Sequence, residues 1–196
     1  MRKLPPSYYL NDDVVSIAKS LLGKYLFCNA DRILTGGIIS ETEAYKGVND
    51  KASHSYAGKL TDRTKIMYEK GGIAYIYLCY GMHYLLNVVT ADINTPHAVL
   101  IRAIYPITGV NEMLIRTGKS KLDYNLTNGP GKLTKAMGIT KKLNGASYQE
   151  NDIWIEDHGI IINKDDIMTG PRIGVGYAEE DALLPYRFVL NYKNYT

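Results

Sequence analysis

Two glutamates stand one residue apart in the segment Ile38-Ile39-Ser40-Glu41-Thr42-Glu43-Ala44-Tyr45. In an extended strand, alternate residues share a face. Ile39, Glu41, Glu43 and Tyr45 then point one way, setting two carboxylates beside an apolar residue and an aromatic ring. An edge strand with a solvated acidic face would carry the same pattern. The chemical reading is a carboxylate held against an aromatic wall, the setting of a general base. Spacing alone does not choose between Glu41 and Glu43.

A second segment, Ala74 to His83, is rich in tyrosine. Tyr75 and Tyr77 share one face of a strand, which is common at sheet margins. Tyr80 stands at a turn beside Gly81, where a bulky ring can be driven between base pairs as a wedge. Asn87 is an amide inside Leu85-Leu86-Asn87-Val88-Val89, and reads first as a satisfied core polar group. Arg102 shares a face with Leu100 and Ile104. A charge on an apolar face is costly unless paired, so Arg102 calls for a carboxylate, with Glu43 or Glu41 as partner. Such a pair would keep the carboxylate ionised.

Asn128-Gly129-Pro130-Gly131-Lys132-Leu133-Thr134-Lys135 places glycines before a helix. Its free N–H groups could hold a DNA phosphate, with Lys132 or Lys135 adding charge, although a plain helix start accounts for the segment as well. It lacks the full phosphate-loop pattern, so nucleotide hydrolysis is not indicated. None of His54, His83, His97 and His158 pairs with another ligand type at metal-binding spacing. No metal and no cofactor are expected. No serine sits in a nucleophile elbow.

These residues need a scaffold. Apolar periodicity predicts a first helix over residues 12–22, capped by Asn11 and stopped by Gly23. Residues 61–70 read as a short helix capped by Thr61, and 109–116 and 132–137 as further helices. Strands are predicted over 24–29, 33–34, 37–45, 73–79, 84–90, 98–104, 172–176 and 187–190, with a hairpin of 153–156 and 160–163 over Asp157-His158-Gly159. The polar connection 117–130 is the least structured stretch. Strands mostly follow strands, which argues an α+β fold: one compact domain, 1–196, around a curved, mostly antiparallel sheet flanked by helices.

Composition sets the remaining limits. The 196 residues are 45% hydrophobic and 22% charged, with net charge +3, as in an ordinary soluble protein. No apolar run reaches the roughly 18 residues that cross a bilayer. The start, with Pro5 and Pro6, offers no apolar stretch for export, so a cytoplasmic protein with no membrane partner is expected. Cys28 and Cys79 lie in apolar runs and read as buried free thiols. The 17 tyrosines against 2 phenylalanines fit a general bias toward Lys, Ile, Asn and Tyr; their positions matter more than their number.

Taken together, the segments resemble the alkyladenine (3-methyladenine) DNA glycosylase family, from Leu10 through Phe188. The most specific matches are Glu41-Thr42-Glu43-Ala44-Tyr45 followed by Ala52-Ser53-His54-Ser55, and Tyr75 to Met82. Asn87, Leu100 to Ala103, Gly129 to Leu133 and Arg172 to Gly176 follow in order. The resemblance implies that Glu43 is the general base, with Arg102 as partner of the carboxylate and its water. It implies a base pocket of Tyr45, His54 and Tyr77, with Asn87 opposing the exocyclic amine of guanine and the Val175 carbonyl as a further water ligand. Tyr80 matches the intercalating wedge and Met82 lies beside it at the DNA surface, with Gly131 and Lys132 as further contacts.

The implied activity is excision of alkylated or deaminated purines, including 3-methyladenine, 7-methylguanine, hypoxanthine and ethenoadenine, from double-stranded DNA by a monomer. A flipped base would lie between the aromatic rings while Glu43 deprotonates a water for attack on the sugar C1′. No lysine in the matched pocket offers an amine, so strand cleavage is not expected. A small-molecule N-ribosyl hydrolase and a non-catalytic nucleic-acid-binding module are the alternatives. The first has no need of Tyr80, and the second none of Glu43.

Overall fold

A computed structural model of the chain describes residues 2–123, 125–192 and 195. Among the described residues nine strands join in one antiparallel sheet that curls into a half-barrel. They are β1 (Arg2–Lys3), β2 (Tyr25–Ala30), β3 (Ile33–Tyr45), β4 (Ala74–Cys79), β5 (His83–Thr90), β6 (His97–Thr108), β7 (Ile153–Asp157), β8 (Ile167–Gly170) and β9 (Arg187–Leu190). The main path runs β1-β7-β2-β3-β6-β5-β4; β9 pairs with β3, and β8 with β9. Helices α1 (Val14–Ser20), α2 (Val110–Thr117) and α3 (Pro130–Met137) pack against it. The α+β reading of the sequence describes this arrangement.

Strand β3 organises the molecule. Its first half pairs with β2, its second half with β9, and β6 follows it along most of its length. The sequence divided it at Thr35-Gly36, yet it is continuous. The glycines serve close approach rather than a break: a Cβ on Gly36 would lie 2.4 Å from the Phe27 ring, and one on Gly37 2.2 Å from the Tyr105 carbonyl oxygen. Farther along, register shifts between Ile39 and Glu41 and between Glu41 and Thr42 break strict alternation. A bulge changes which face later residues use. Ile39 therefore joins the core with Ala44 and Ile104, contrary to the expectation that it shares the face of Glu41, Glu43 and Tyr45. Ile104 likewise leaves the face of Arg102. Thr42 points to α1, where its hydroxyl donates to the Ala18 carbonyl at 2.8 Å.

Other expectations need correction. Helix α1 is shorter than 12–22, and its cap is Asp13, whose carboxylate accepts the Val15 and Ser16 amides. Asn11 instead accepts the Asp13 amide. Residues 61–70 form only a short 3₁₀ turn, Lys65–Tyr68, because Thr61 and Thr64 trade side-chain to backbone hydrogen bonds that compete with a helix. Residues 160–163 form no strand. Both edges of β7 are already taken, by β1 and β2, so a hairpin partner has no edge to join. Residues 172–175 form a loop and Gly176 opens a 3₁₀ segment, Gly176–Leu183, so no closing strand forms over 172–176. Cys28 is buried as expected, and Cys79 is half-buried, both as free thiols.

Candidate active site

A cavity of about 630 Å³ opens between the far end of the sheet and the loops that cover it, well within the size that takes a small organic ligand. β4, β5 and β6 form its floor through Tyr75, Tyr77, Asn87, Leu100 and Arg102. Residues 52–54, the start of α3 and the loop around Val175 form its sides.

The two glutamates have different surroundings. Glu41 Oε1 accepts Arg102 Nε at 2.9 Å and Arg187 Nε at 2.6 Å, so it is held between two guanidinium groups. Glu43 is fully buried. Its Oε2 accepts the Tyr45 hydroxyl at 2.8 Å, and its Oε1 accepts the Ile173 amide at 2.8 Å. Arg102 Nη1 reaches Glu43 Oε1 only at 3.4 Å. The main ion pair of Arg102 is thus with Glu41. Burial pushes the Glu43 carboxyl above its ordinary value, against Arg102, the Ile173 amide and the Tyr45 hydroxyl. Arg102 thus meets both carboxylates that the sequence offered as partners, Glu41 more closely than Glu43. Glu43 contributes no surface to the cavity, but three groups that touch it (Tyr45, Arg102 and Ile173) line it.

The aromatic side chains form two walls. His54 and Tyr77 meet edge to face with centroids 4.6 Å apart, and Tyr75 packs on Tyr77 at 5.4 Å. A planar base held between two rings needs them about 7 Å apart, twice van der Waals contact. His54 and Tyr77 therefore form one wall together, and Tyr45 also stands on the lining. His54 Nδ1 shares a hydrogen bond of 2.8 Å with the Tyr75 hydroxyl. Burial, helped by Arg63, pushes the His54 imidazole down to about 4. It is neutral at physiological pH.

Asn87 is buried on β5 opposite Tyr75, and its amide nitrogen donates to the Tyr75 carbonyl at 3.1 Å. That bond fixes the amide plane at the cavity floor. At the rim, Tyr80 and Gly81 both take left-handed backbone, φ +50° and +69°, within the β4–β5 turn. A tyrosine pays an uncommon steric cost there, and the residue is 85% exposed. Met82 beside it is also exposed. Across the mouth lie Gly131 and Lys132. A Cβ on Gly131 would come within 2.7 Å of the His83 ring, so glycine lets α3 begin directly against β5. Contrary to the expectation that no lysine stands in the pocket, Lys132 lies on the lining, the one lysine there among the described residues, and its ammonium donates to Asn125 Oδ1 at 3.3 Å. Val175 is buried, and its carbonyl accepts the Ala178 amide at 2.9 Å, leaving a second lone pair.

Sequence reasoning missed the group that supports this side of the cavity. The Arg172 guanidinium is buried and donates to both carboxylate oxygens of Asp50, to the Ala44 carbonyl at 2.9 Å and to the Asp181 carbonyl at 3.0 Å. It lies over the Tyr45 ring at 4.8 Å. This clamp sets the backbone so that the next residue, Ile173, aims its N–H at Glu43. Reading 172–176 as a strand hid it. Arg187 and Arg63, the latter 5.7 Å from the Tyr77 ring centre, were also missed, because each acts through a residue distant in sequence.

Comparison with known proteins adds an independent line. Residues 8–194 match the family model described as methylpurine-DNA glycosylase (MPG). A protein of Chlamydia felis is 50% identical over 191 residues, covering 97% of each chain. A Chlamydia abortus protein is 48% identical, covering 97% of this chain and all of its own. A Bacillus mycoides protein is 47% identical over 194 residues, covering 94% of each. All three are provisionally named 3-methyladenine DNA glycosylases.

Proposed function

This chain belongs to the methylpurine-DNA glycosylase family, and from that premise we propose that it hydrolyses the N-glycosidic bond of alkylated or deaminated purines flipped out of duplex DNA, with Glu43 as general base. The observation that carries the reading is the setting of Glu43. A buried carboxylate with a raised pKa, held by the Ile173 amide and the Tyr45 hydroxyl, lies directly behind a cavity walled by aromatic rings. A base works best when its pKa approaches the working pH.

The base enters between Tyr45 on one side and the joined His54–Tyr77 wall on the other. Stacking on aromatic rings is worth roughly 1–3 kcal/mol per base, comparable with the few kcal/mol that flipping costs. Alkylation at N3 or N7 gives the purine positive charge, which an aromatic face favours by roughly 0.5–2 kcal/mol. Neutral His54 adds no opposing charge to that wall. Asn87, its amide tied to Tyr75, opposes the exocyclic amine of guanine. Tyr80 fills the gap left in the helix, with Met82 beside it.

Glu43 takes a proton from a water whose oxygen bonds to C1′ while the C1′–N bond breaks, its electron pair leaving on the purine nitrogen, and the carboxylate stabilises positive charge developing on the sugar. Arg102 and the free lone pair of the Val175 carbonyl hold that water. Water reaches Glu43 by a small displacement of the groups that cover it on substrate entry. Lys132, whose ammonium turns to Asn125, and Gly131 contact the DNA backbone rather than C1′. We propose a monofunctional enzyme without strand cleavage, acting as a monomer on damaged double-stranded DNA in the cytosol.

The test is incubation with duplexes carrying hypoxanthine or ethenoadenine and with methylated DNA, followed by alkali. Strand breaks at the lesion that require alkali are expected. Breaks without alkali overturn the monofunctional reading, and release of bases only from free nucleosides overturns the DNA reading.

A further inference from the structure

Four charged side chains alternate in sign from beside the cavity to a second, smaller hollow lined by Glu41 and Arg187: Glu43, Arg102, Glu41 and Arg187. Both arginines direct Nε to Glu41 Oε1, at 2.6 and 2.9 Å, whereas Arg102 stands 3.4 Å from Glu43. Glu41 holds the better-aligned edge of Arg102 and leaves Glu43 the longer contact. We propose that Glu41 is a positioning residue that captures Arg102 so that Glu43 keeps its strength as a base, and that Arg187 balances the charge of Glu41. This rests on the reading of Glu43 as the base.

The physical reason is competition for one guanidinium. An arginine serving Glu43 alone would pull that carboxyl down by roughly 1–3 pH units and weaken it as a base. The charged and titratable groups facing Glu43 are few. Its own strand supplies Glu41 and Tyr45, β6 supplies Arg102, and β9 supplies Arg187, whose backbone pairs with Glu43 across the ladder. The covering loop supplies the Ile173 amide and the Arg172 guanidinium over Tyr45.

Glu41→Gln keeps an amide oxygen for Arg102 but removes a negative charge. Arg102 then favours Glu43, and like-charge repulsion disappears. Both effects stabilise the Glu43 anion. Arg187→Gln does the reverse, because it leaves the charge of Glu41 less balanced. The two substitutions therefore push the acid limb of the rate profile in opposite directions, which a merely structural role would not do.

The experiment is the single-turnover excision rate against pH on methylated duplex DNA, with thermal melting to show that each variant is folded. The acid limb is expected to move down for Glu41→Gln and up for Arg187→Gln, each by on the order of one pH unit. Limbs that stay in place, or move in the same direction, overturn the proposal. Arg187 is partly exposed and its removal is the milder change; should Glu41→Gln fail to fold, an upward shift for Arg187→Gln supports the proposal and its absence overturns it. Glu43→Gln is measured alongside. If it keeps the wild-type rate, the base assignment itself falls and this proposal with it; if it is inactive while the limbs stay fixed, only the role of Glu41 falls.

Discussion

The Tyr45 hydroxyl donates to Glu43 Oε2 at 2.8 Å, two residues along the same strand. Burial and the Glu43 charge raise the Tyr45 phenol well above its ordinary value, so it stays a neutral donor. One side chain thus holds the carboxylate and presents a ring to the cavity. Tyr45→Phe separates these duties. A hydrogen bond to a charged group is worth about 1.5–3 kcal/mol. The variant should bind a lesion duplex normally and excise at least about 10-fold more slowly on the acid limb, with little loss at higher pH. Its acid limb should lie higher, because the anion of Glu43 loses a donor. Single-turnover kinetics with a binding assay checks this.

His54 yields a stability prediction. Its pKa in the folded protein is near 4 against an ordinary 6.5, so the unfolded chain binds the extra proton first. Its neutral state favours folding above about pH 6.5, and that contribution is lost as pH falls toward 4. Denaturant titrations over this range should show declining stability, with a shallower decline in His54→Gln. Equal slopes in the two proteins would contradict the assignment of a neutral, buried ring.

Tyr80 is exposed and held in left-handed backbone, so its ring contributes little to the fold. Tyr80→Ala should leave the melting temperature nearly unchanged, as most surface changes do. Excision from duplex DNA should fall at least about 10-fold, with a smaller loss on single strands, where no stack has to be opened. An equal loss on both would remove the wedge assignment.

The Arg172–Asp50 pair makes the opposite kind of prediction. Breaking a buried pair by removing one partner typically costs about 3–5 kcal/mol. Asp50→Asn should therefore lower stability sharply, measured by denaturant unfolding. In whatever fraction folds, excision should also fall, because the Ile173 amide loses its fixed aim at Glu43.

Much of this site was legible in the sequence, and the reasons it was not fully so are local. Glu43, Tyr45, His54, Tyr77, Asn87 and Arg102 could be named because their residue types are unusual for apolar strands and their order matches a known family. Five of them line the cavity, with Glu43 just behind. Ile39 was misplaced because a period of two cannot foresee a bulge at Ser40. The partner of Arg102 was open because Glu41 and Glu43 are equivalent by spacing; the bulged pairing of β3 with β6 sets Glu41 at 2.9 Å and Glu43 at 3.4 Å. Residues 172–176 looked like a strand because their alternation is apolar, yet the burial of Arg172 against Asp50 bends them into a loop. The hairpin at 160–163 failed for a topological reason, since β1 had already occupied the edge it needed.

The central claim is that Glu43 activates the water. The most direct measurement is the single-turnover rate of base release by Glu43→Gln on methylated duplex DNA, with lesion binding measured in parallel. The expected result is intact binding with a rate lowered about 10²–10⁴-fold. Base release at the wild-type rate by a folded Glu43→Gln protein would contradict the account.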